Sequence, residues 1–227
     1  MNIQGFQKMT LLDFPGKVAC IVFTGGCNLR CPFCHNGSLV RRPAENKDME
    51  NEVFQYLQKR RGIVDGVVIT GGEPLLQPGL ADFISKIKEM GYDVKLDTNG
   101  ALPEKLKAIL ATGNVDYVAM DIKSSPEGYQ KASGSDIDIE NFQKSVDIIK
   151  QSGIDHEFRT TVVKGIHEAE DLLEIARWIG KGEKYFLQKY VDSGDILGSG
   201  CEKFSDSEYG DMLKNVRELI PEAQLRG

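Results

Sequence analysis

Residues 18–36 read VACIVFTGGCNLRCPFCHN, and this stretch decides how the whole sequence is interpreted. Its first part, residues 18–24, is a nearly continuous apolar run, which is typical of a strand buried on both faces of a parallel sheet. A glycine-rich loop with Cys27, Cys31 and Cys34 follows directly. In parallel α/β proteins, active sites form in the loops after the carboxyl ends of strands. The stretch therefore indicates an α/β fold with a chemically active first loop.

Short apolar runs and amphipathic helical windows alternate along the chain, as they do in successive βα units. Ser205 and Glu208 form a capping-box pattern that predicts a final helix. We interpret residues 1–227 as a single domain whose strands form either an incomplete (β/α) barrel or a doubly wound sheet. Periodicity alone does not choose between the two. The six predicted parallel strands are residues 18–24, 64–70, 92–97, 116–122, 156–163 and 184–191.

Composition excludes several classes of partner. The net charge is −6, so the chain has no general basic field for nucleic acid, and we expect no nucleic-acid partner. No segment has the roughly 18 consecutive apolar residues that cross a bilayer, and residues 1–16 lack the pattern of a signal peptide. We therefore expect a cytoplasmic protein without a membrane partner.

The five cysteines suit metal binding better than a disulfide framework, because the number is odd and the expected compartment is reducing. Cys20 lies in an apolar run and is expected in the core, while Cys201 stays unassigned. The other three follow the spacing C-x3-C-x2-C. Thiolates select zinc or iron–sulfur clusters, and a cubane cluster has one more iron than this loop has cysteines. The loop therefore predicts a cluster with one open iron.

A structural zinc site is the main alternative for this loop. His35 would be the fourth ligand of a Cys3His site, but it adjoins Cys34 and could bind the same ion only in a strained geometry. Structural zinc sites also usually consist of two spaced pairs of ligands. A non-catalytic zinc or electron-transfer module stays open as an alternative class, and metal analysis of anaerobically purified protein would distinguish it.

The spacing C-x3-C-x-aromatic-C, with Phe33 as the aromatic residue, resembles the signature of the radical S-adenosylmethionine (SAM) superfamily. The resemblance implies an incomplete (β/α)6 barrel and a [4Fe-4S] cluster held by Cys27, Cys31 and Cys34. It also implies that the open iron binds the amine and carboxylate of SAM. Reductive cleavage of SAM would then give a 5′-deoxyadenosyl radical, so the cofactors would supply the demanding chemistry.

A second motif, Gly71-Gly72-Glu73-Pro74, follows the second predicted strand. Two glycines let a backbone approach a ligand closely, and Glu73 can accept hydrogen bonds from an amine, although a plain strand-to-helix turn would look the same. The resemblance implies that this motif binds the methionine amino group of SAM. We therefore predict Gly71, Gly72 and Glu73 as cofactor-binding residues.

Acidic and basic residues follow the third and fourth predicted strands, in Asp97-Thr98-Asn99-Gly100 and Asp121-Ile122-Lys123. Taken alone, each acid could be a helix cap or a surface ion pair. The motifs resemble the strand ends of glycyl-radical-enzyme activases. That resemblance implies contacts with the ribose or carboxylate of SAM, and it allows a monovalent cation. We therefore predict Asp97, Thr98, Asp121 and Lys123 as cofactor-binding residues.

The last predicted contacts come from the cysteine loop and from the fifth and sixth strands. Phe33 and His35 lie beside the cluster ligands, and the strand that carries Arg159 resembles the adenine-flanking strand of the superfamily. Tyr190 falls where the pyruvate formate-lyase activating enzyme has a histidine that contacts the cofactor. We predict all four residues as cofactor-binding, and the replacement of histidine by Tyr190 is a departure from the family pattern.

The stretch from Thr10 to Lys17, the triplet Cys34-His35-Asn36 and the Leu-Arg-Gly ending resemble activases of glycyl radical enzymes. The branch that they resemble most activates anaerobic ribonucleoside-triphosphate reductase. This resemblance implies such an enzyme as the partner, and flavodoxin or ferredoxin as the reductant, because no second cysteine cluster follows the first. A small-molecule radical enzyme of the 7-carboxy-7-deazaguanine synthase type is the alternative within the superfamily.

Overall fold

In the computed structural model, which describes residues 1–41 and 48–227, eight strands form one sheet in which the spatial order follows the chain order. The first strand pairs antiparallel with the second, and every later neighbour pairs parallel. The strands are β1 (Ile3–Thr10), β2 (Ala19–Thr24), β3 (Gly66–Gly71), β4 (Asp93–Thr98), β5 (Tyr117–Asp121), β6 (Asp155–Val162), β7 (Tyr185–Lys189) and β8 (Gln224–Arg226).

The sheet curls into an open barrel. Phe23 on β2 and Gln188 on β7 line the same pocket of about 440 Å³. In a flat sheet, β2 and β7 would lie roughly 24 Å apart at about 4.8 Å per strand, too far for both strands to line it. The unbroken strand order also rules out the doubly wound alternative, which needs a reversal of order. Across the described residues β1 and β8 do not pair, so the barrel is open on one side.

The six predicted strands correspond to β2–β7, with ends that differ by at most two residues. The structure adds β1 and β8 at the two edges of the sheet, so the predicted barrel of six parallel strands is confirmed and extended. Both additions matter for the site, because β1 and β8 border the open side.

The helices cover the outside of the barrel, and their apolar faces join one large core with the sheet. The predicted capping box at the last helix is confirmed, because the Ser205 hydroxyl accepts from the Glu208 backbone N–H. None of the described helices has the length and apolarity required to cross a bilayer. The helices are α1 (Gly37–Arg41), α2 (Met49–Lys59), α3 (Leu80–Glu89), α4 (Pro103–Leu110), α5 (Tyr129–Ser133), α6 (Ile139–Gln151), α7 (Ala169–Ile179) and α8 (Asp206–Arg217), with a 3₁₀ turn at Pro74–Leu76.

The amino-terminal end of the barrel is closed by Phe14, which comes from the connection between β1 and β2. Its ring is buried in a small apolar cluster with Ile21, Val68 and Tyr117. Gly66 makes room for it, since a Cβ atom there would lie 2.8 Å from the Phe14 ring. The interior is therefore filled at this end and open at the carboxyl ends of the strands.

Candidate functional site

The pocket lies at the carboxyl ends of β2–β7, where the sequence motifs were predicted to meet. Its lining includes most of the predicted site residues, whereas Glu73 and Tyr190 do not line it. The predicted residues that line it are Cys27, Cys31, Phe33, Cys34, His35, Gly71, Gly72, Asp97, Thr98, Asp121, Lys123 and Arg159. Placement in one pocket supports these predictions, while a contact of any of them with a cofactor stays a prediction.

The cysteine loop presents its three thiols to the pocket. Cys31 is buried, and Cys27 and Cys34 are half-buried. Burial raises the pKa of the Cys31 thiol to about 12, and burial also raises the pKa of Cys27. The charge of Lys123 acts in the opposite direction on both thiols. In the metal-free protein Cys27 and Cys31 are therefore thiols at neutral pH, and metal binding would have to displace their protons.

The arrangement of the thiols bears on what the loop could hold. A mononuclear zinc site needs four ligands that converge on one ion. A cubane cluster does not require its ligands to converge on one ion, because each thiolate binds a different iron. The donor set of three cysteines in one loop therefore fits an iron–sulfur cluster better than the Cys3His alternative.

Gly71 and Gly72 are required by the close approach of two loops. A Cβ atom on Gly72 would lie 2.0 Å from the carbonyl oxygen of Gly26, and one on Gly71 would lie 2.3 Å from the backbone nitrogen of Thr24. The backbone N–H of Gly72 donates to the Thr24 carbonyl at 2.8 Å. The absence of side chains at these two glycines therefore allows the turn after β3 to pack against the start of the cysteine loop.

The side chain of Glu73 is fully buried beneath the pocket. Its carboxylate accepts from the Leu75 N–H at 3.1 Å, from the Thr98 hydroxyl at 2.9 Å and from the Asn99 N–H at 2.8 Å. Burial raises its pKa to about 7, although these three donors act in the opposite direction. In this structure Glu73 therefore connects the end of β3 to the end of β4, and its predicted contact with SAM stays a prediction.

The charged side chains in the pocket form a network around Arg159. Its Nε donates to Asp121 at 2.8 Å, and both terminal nitrogens lie 3.2 Å from Asp97 Oδ2. Lys95 Nζ lies 2.6 Å from the other oxygen of Asp97, and Lys123 Nζ lies 3.2 Å from the other oxygen of Asp121. All four carboxylate oxygens are thus paired with cations. The binding of a monovalent cation stays a prediction.

Charge balance controls ionisation in this network. Burial alone would raise the pKa of Asp121, but the charges of Arg159 and Lys123 hold it well below the usual value. Burial alone would lower the pKa of Lys123, but the charge of Asp121 and its hydrogen bond raise it. The pocket therefore has fixed charges over the physiological pH range, which makes it ready for a polar ligand before that ligand arrives.

Tyr190 packs behind the pocket. Its ring lies 5.8 Å from the ring of His35, and its buried hydroxyl has no hydrogen-bond partner within the described part of the chain. Burial lowers the pKa of His35, so its ring is neutral at physiological pH. Gln188, which is on β7 two residues earlier, lines the pocket instead.

Sequence reasoning missed several polar residues of the lining. Asn99 lies within a motif that was already recognised, and its Nδ2 lies 3.7 Å from Cys27 Sγ. Thr161 and Gln188 are paired neighbours on β6 and β7, and strand alternation from Arg159 could have identified Thr161. Gln7 had no signal, because β1 was not predicted, whereas Asp13 lies in the stretch from Thr10 to Lys17 whose resemblance to activases was recognised without assigning it to the site.

A segment after β7, residues 193–198, lies across the outer side of the cysteine loop, and we call it the strap. The carbonyl of Asp195 accepts from the Gly37 N–H at 2.9 Å, and its carboxylate accepts from the Ser38 N–H at 2.8 Å. At the other end the Gly198 N–H donates to the Pro32 carbonyl at 2.8 Å. The strap therefore holds the segment that contains Cys34 from both sides.

Comparison with known proteins identifies relatives of this chain. The profile of the Radical SAM superfamily matches residues 21–179. A Methanocaldococcus jannaschii protein with the provisional name glycyl-radical enzyme activating enzyme is 32% identical over 232 residues, which cover 99% of this chain and 95% of that protein. The pyruvate formate-lyase-activating enzyme of Clostridium pasteurianum is 31% identical over 201 residues, covering 85% of this chain and 83% of that enzyme.

A solved structure shows the same fold. Streptococcus suis SuiB, in a crystal structure with its precursor peptide SuiA, matches with a TM-score of 0.69 at 17% identity. The match covers 91% of this chain and 48% of SuiB, so the chain spans about half the length of that protein. At this identity the likeness concerns the fold alone.

Proposed function

Because this chain belongs to the Radical SAM superfamily, we propose that it is an activase that cleaves SAM reductively and generates a radical on a glycine of a partner enzyme. The observation that carries the proposal is the match, over nearly the full length of both chains, to a protein with the provisional name glycyl-radical enzyme activating enzyme. The pocket supports it, because cysteine thiols and a charged network share one lining.

The residues present fit both cofactors. Cys27, Cys31 and Cys34 would hold a [4Fe-4S] cluster with one iron open for SAM, as three cysteines allow. When bound, the cluster and SAM supply the electron and the 5′-deoxyadenosyl radical that abstracts hydrogen. The protein's task is to bind and orient them in a fixed electrostatic environment. Buried Leu29 and Phe33 help to keep water from the thiols.

Within this proposal the charged network orients SAM. Asp97 and Asp121 present carboxylate edges to the pocket, and Arg159 and Lys123 set the local charge. The methionine part of SAM carries an amine and a carboxylate, so it can be held by both signs of charge. The strap and the Gly71-Gly72 turn keep the cysteine loop in place on two sides.

The partner would be a large enzyme whose glycine enters the open side of the barrel, and we propose anaerobic ribonucleoside-triphosphate reductase. The open side between β1 and β8 leaves a path for a polypeptide loop. Only Cys20 and Cys201 lie outside the cysteine loop, so the chain lacks the cysteines for a second cluster. An external donor, flavodoxin or ferredoxin, would therefore reduce the cluster, and a cytoplasmic location suits such a reaction.

The cluster assignment is tested by single substitutions. Cys27→Ala, Cys31→Ala and Cys34→Ala should each abolish the cluster, because each removes one of only three ligands. Cys20→Ala is the matched control, since Cys20 is buried in β2 away from the pocket lining. Iron and sulfide are measured after anaerobic reconstitution. Equal loss of iron in the Cys20 and Cys31 variants would refute the assignment, and zinc without iron would favour a structural module.

The reaction is tested with the reduced protein, SAM and the anaerobic ribonucleotide reductase of the same genome. We expect an EPR doublet from a glycyl radical on the reductase and a stoichiometric amount of 5′-deoxyadenosine. Formation of the nucleoside only with a purine-like small substrate, and with no glycyl radical enzyme, would overturn the proposal. That outcome would favour the 7-carboxy-7-deazaguanine synthase type.

A further inference from the structure

We propose that Arg226 on β8 is a positioning residue for the SAM site, because its ion pair with Glu157 leaves Arg159 free to hold Asp97 and Asp121. The inference rests on the proposed function only in that the pocket binds SAM. Arg226 does not line the pocket, and it would act through Glu157 and Arg159. These three residues form a row that we call the arginine relay.

The outer half of the arginine relay is a bidentate ion pair. Arg226 NH1 and NH2 each lie 3.0 Å from one oxygen of Glu157. The Arg226 guanidinium also stacks on Phe186, with its central carbon 3.2 Å from the ring centroid. Glu157 is only 1% exposed, and it also accepts a hydrogen bond from the Tyr117 hydroxyl at 3.2 Å. Arg226 is therefore the main cation that compensates a buried carboxylate.

The inner half of the arginine relay shows a second cation within reach of the same carboxylate. Arg159 and Glu157 are two residues apart on β6, so their side chains leave the same face of the strand. Arg159 NH1 lies 3.9 Å from Glu157 Oε1, while its closer partners are Asp121 at 2.8 Å and Asp97 at 3.2 Å. With Arg226 in place, Arg159 is thus committed to the pocket and only weakly attracted to Glu157.

Loss of Arg226 would change which carboxylates Arg159 pairs with. A buried carboxylate without a partner is costly, so Glu157 would attract the nearest mobile cation. Arg159 is that cation, and a small rotation of its side chain would shorten the distance of 3.9 Å. Asp97 and Asp121 would then lose the guanidinium that joins them, although Lys95 and Lys123 would stay. The preorganised charge pattern of the pocket would thus be lost although no lining residue is substituted.

The test measures SAM affinity, with the reconstituted protein and radiolabelled SAM in anaerobic equilibrium dialysis. Arg226→Met should raise the dissociation constant about tenfold, the effect of losing one charge-assisted hydrogen bond. Glu157→Gln alone should change it less than twofold, since the half-exposed Arg226 can turn to water. The double variant Arg226→Met/Glu157→Gln should return to within about threefold of wild type, because no buried charge remains to attract Arg159.

Arg217→Met is the matched control, because it removes a hydrogen bond to the Ala223 carbonyl beside β8 but leaves the arginine relay intact. We expect lower thermal stability and unchanged SAM affinity. Unchanged affinity in Arg226→Met, or no recovery in the double variant, would overturn the inference. If Arg226→Met does not fold, Arg226→Gln is measured in the same assay, with the same expected loss of SAM affinity and the same recovery by Glu157→Gln. A wild-type protein that binds no SAM would instead refute the proposed function.

Discussion

Glu73→Gln offers the sharpest test of how the motif after β3 works, because the structure places this carboxylate under the pocket. The side chain is fully buried and accepts from Leu75, Thr98 and Asn99. Burial raises its pKa to about 7 from an ordinary value of 4.5. The native protein therefore binds this proton more tightly than the unfolded chain does, so the contribution of Glu73 to stability depends on pH.

The expected magnitude follows from the difference between the two pKa values. Stability from protonated Glu73 is fully present below about pH 4.5 and is lost as the pH rises through about 7. A difference of about 2.5 pKa units corresponds to about 3 kcal/mol. Glutamine has the same shape and no proton to lose. The stability of wild type relative to Glu73→Gln should therefore fall by most of this amount between pH 5 and 8.

The assay is urea unfolding of the metal-free protein at several pH values, with the free energy of unfolding compared between the variants at each pH. Glu104→Gln is the control, because Glu104 is exposed on α4 and should change stability by less than about 0.5 kcal/mol throughout. A difference between wild type and Glu73→Gln that is constant from pH 5 to pH 8 would show that the buried carboxylate does not titrate in this range.

Three further outcomes can be measured with the same protein. Phe14→Ala should cost about 3–5 kcal/mol in urea unfolding, because it leaves a cavity at the closed end of the barrel, and a smaller loss than about 1 kcal/mol would contradict the packing. Gly198→Ala should lower the melting temperature, since its Cβ would lie 2.5 Å from Pro32, whereas Gly210→Ala meets nothing within 4 Å and should not. Tyr190→Phe removes a hydroxyl that is unpaired among the described residues, so SAM affinity should stay within about twofold; a large loss would place this hydroxyl at the cofactor.

The sequence predicts the parallel strands well, because strands buried on both faces read as continuous apolar runs. Strand β2, for example, is buried at five of its six positions. Strand β1 has no such signal, since it is an edge strand with only two buried positions out of eight. Strand β8 is three residues long, too short for any periodicity to appear. Edge strands of these kinds can be identified only once the positions of the neighbouring strands are known.

The candidate site was likewise predicted only in part. The motifs at the strand ends predict which residues meet, because parallel strands deliver their following loops to one end of the barrel. They do not predict that the Glu73 side chain turns away from the pocket, since that direction depends on donors from β4. Nor could they indicate the pairing of Arg226 with Glu157, which are 69 residues apart and carry no shared motif.

The strap has a consequence for the order of events during protein synthesis. The hydrogen bonds between the strap and the cysteine loop join residues 157 and 158 positions apart, as in Asp195 to Ser38 and Ser193 to His35. At about 5–20 residues per second, the ribosome needs roughly 8–30 s to add that length of chain. Throughout this interval the cysteine loop is present without the segment that later holds it in place. Until the strap docks, the loop of the newly made chain is therefore held less firmly, and its thiols are more accessible to oxidants than in the finished protein.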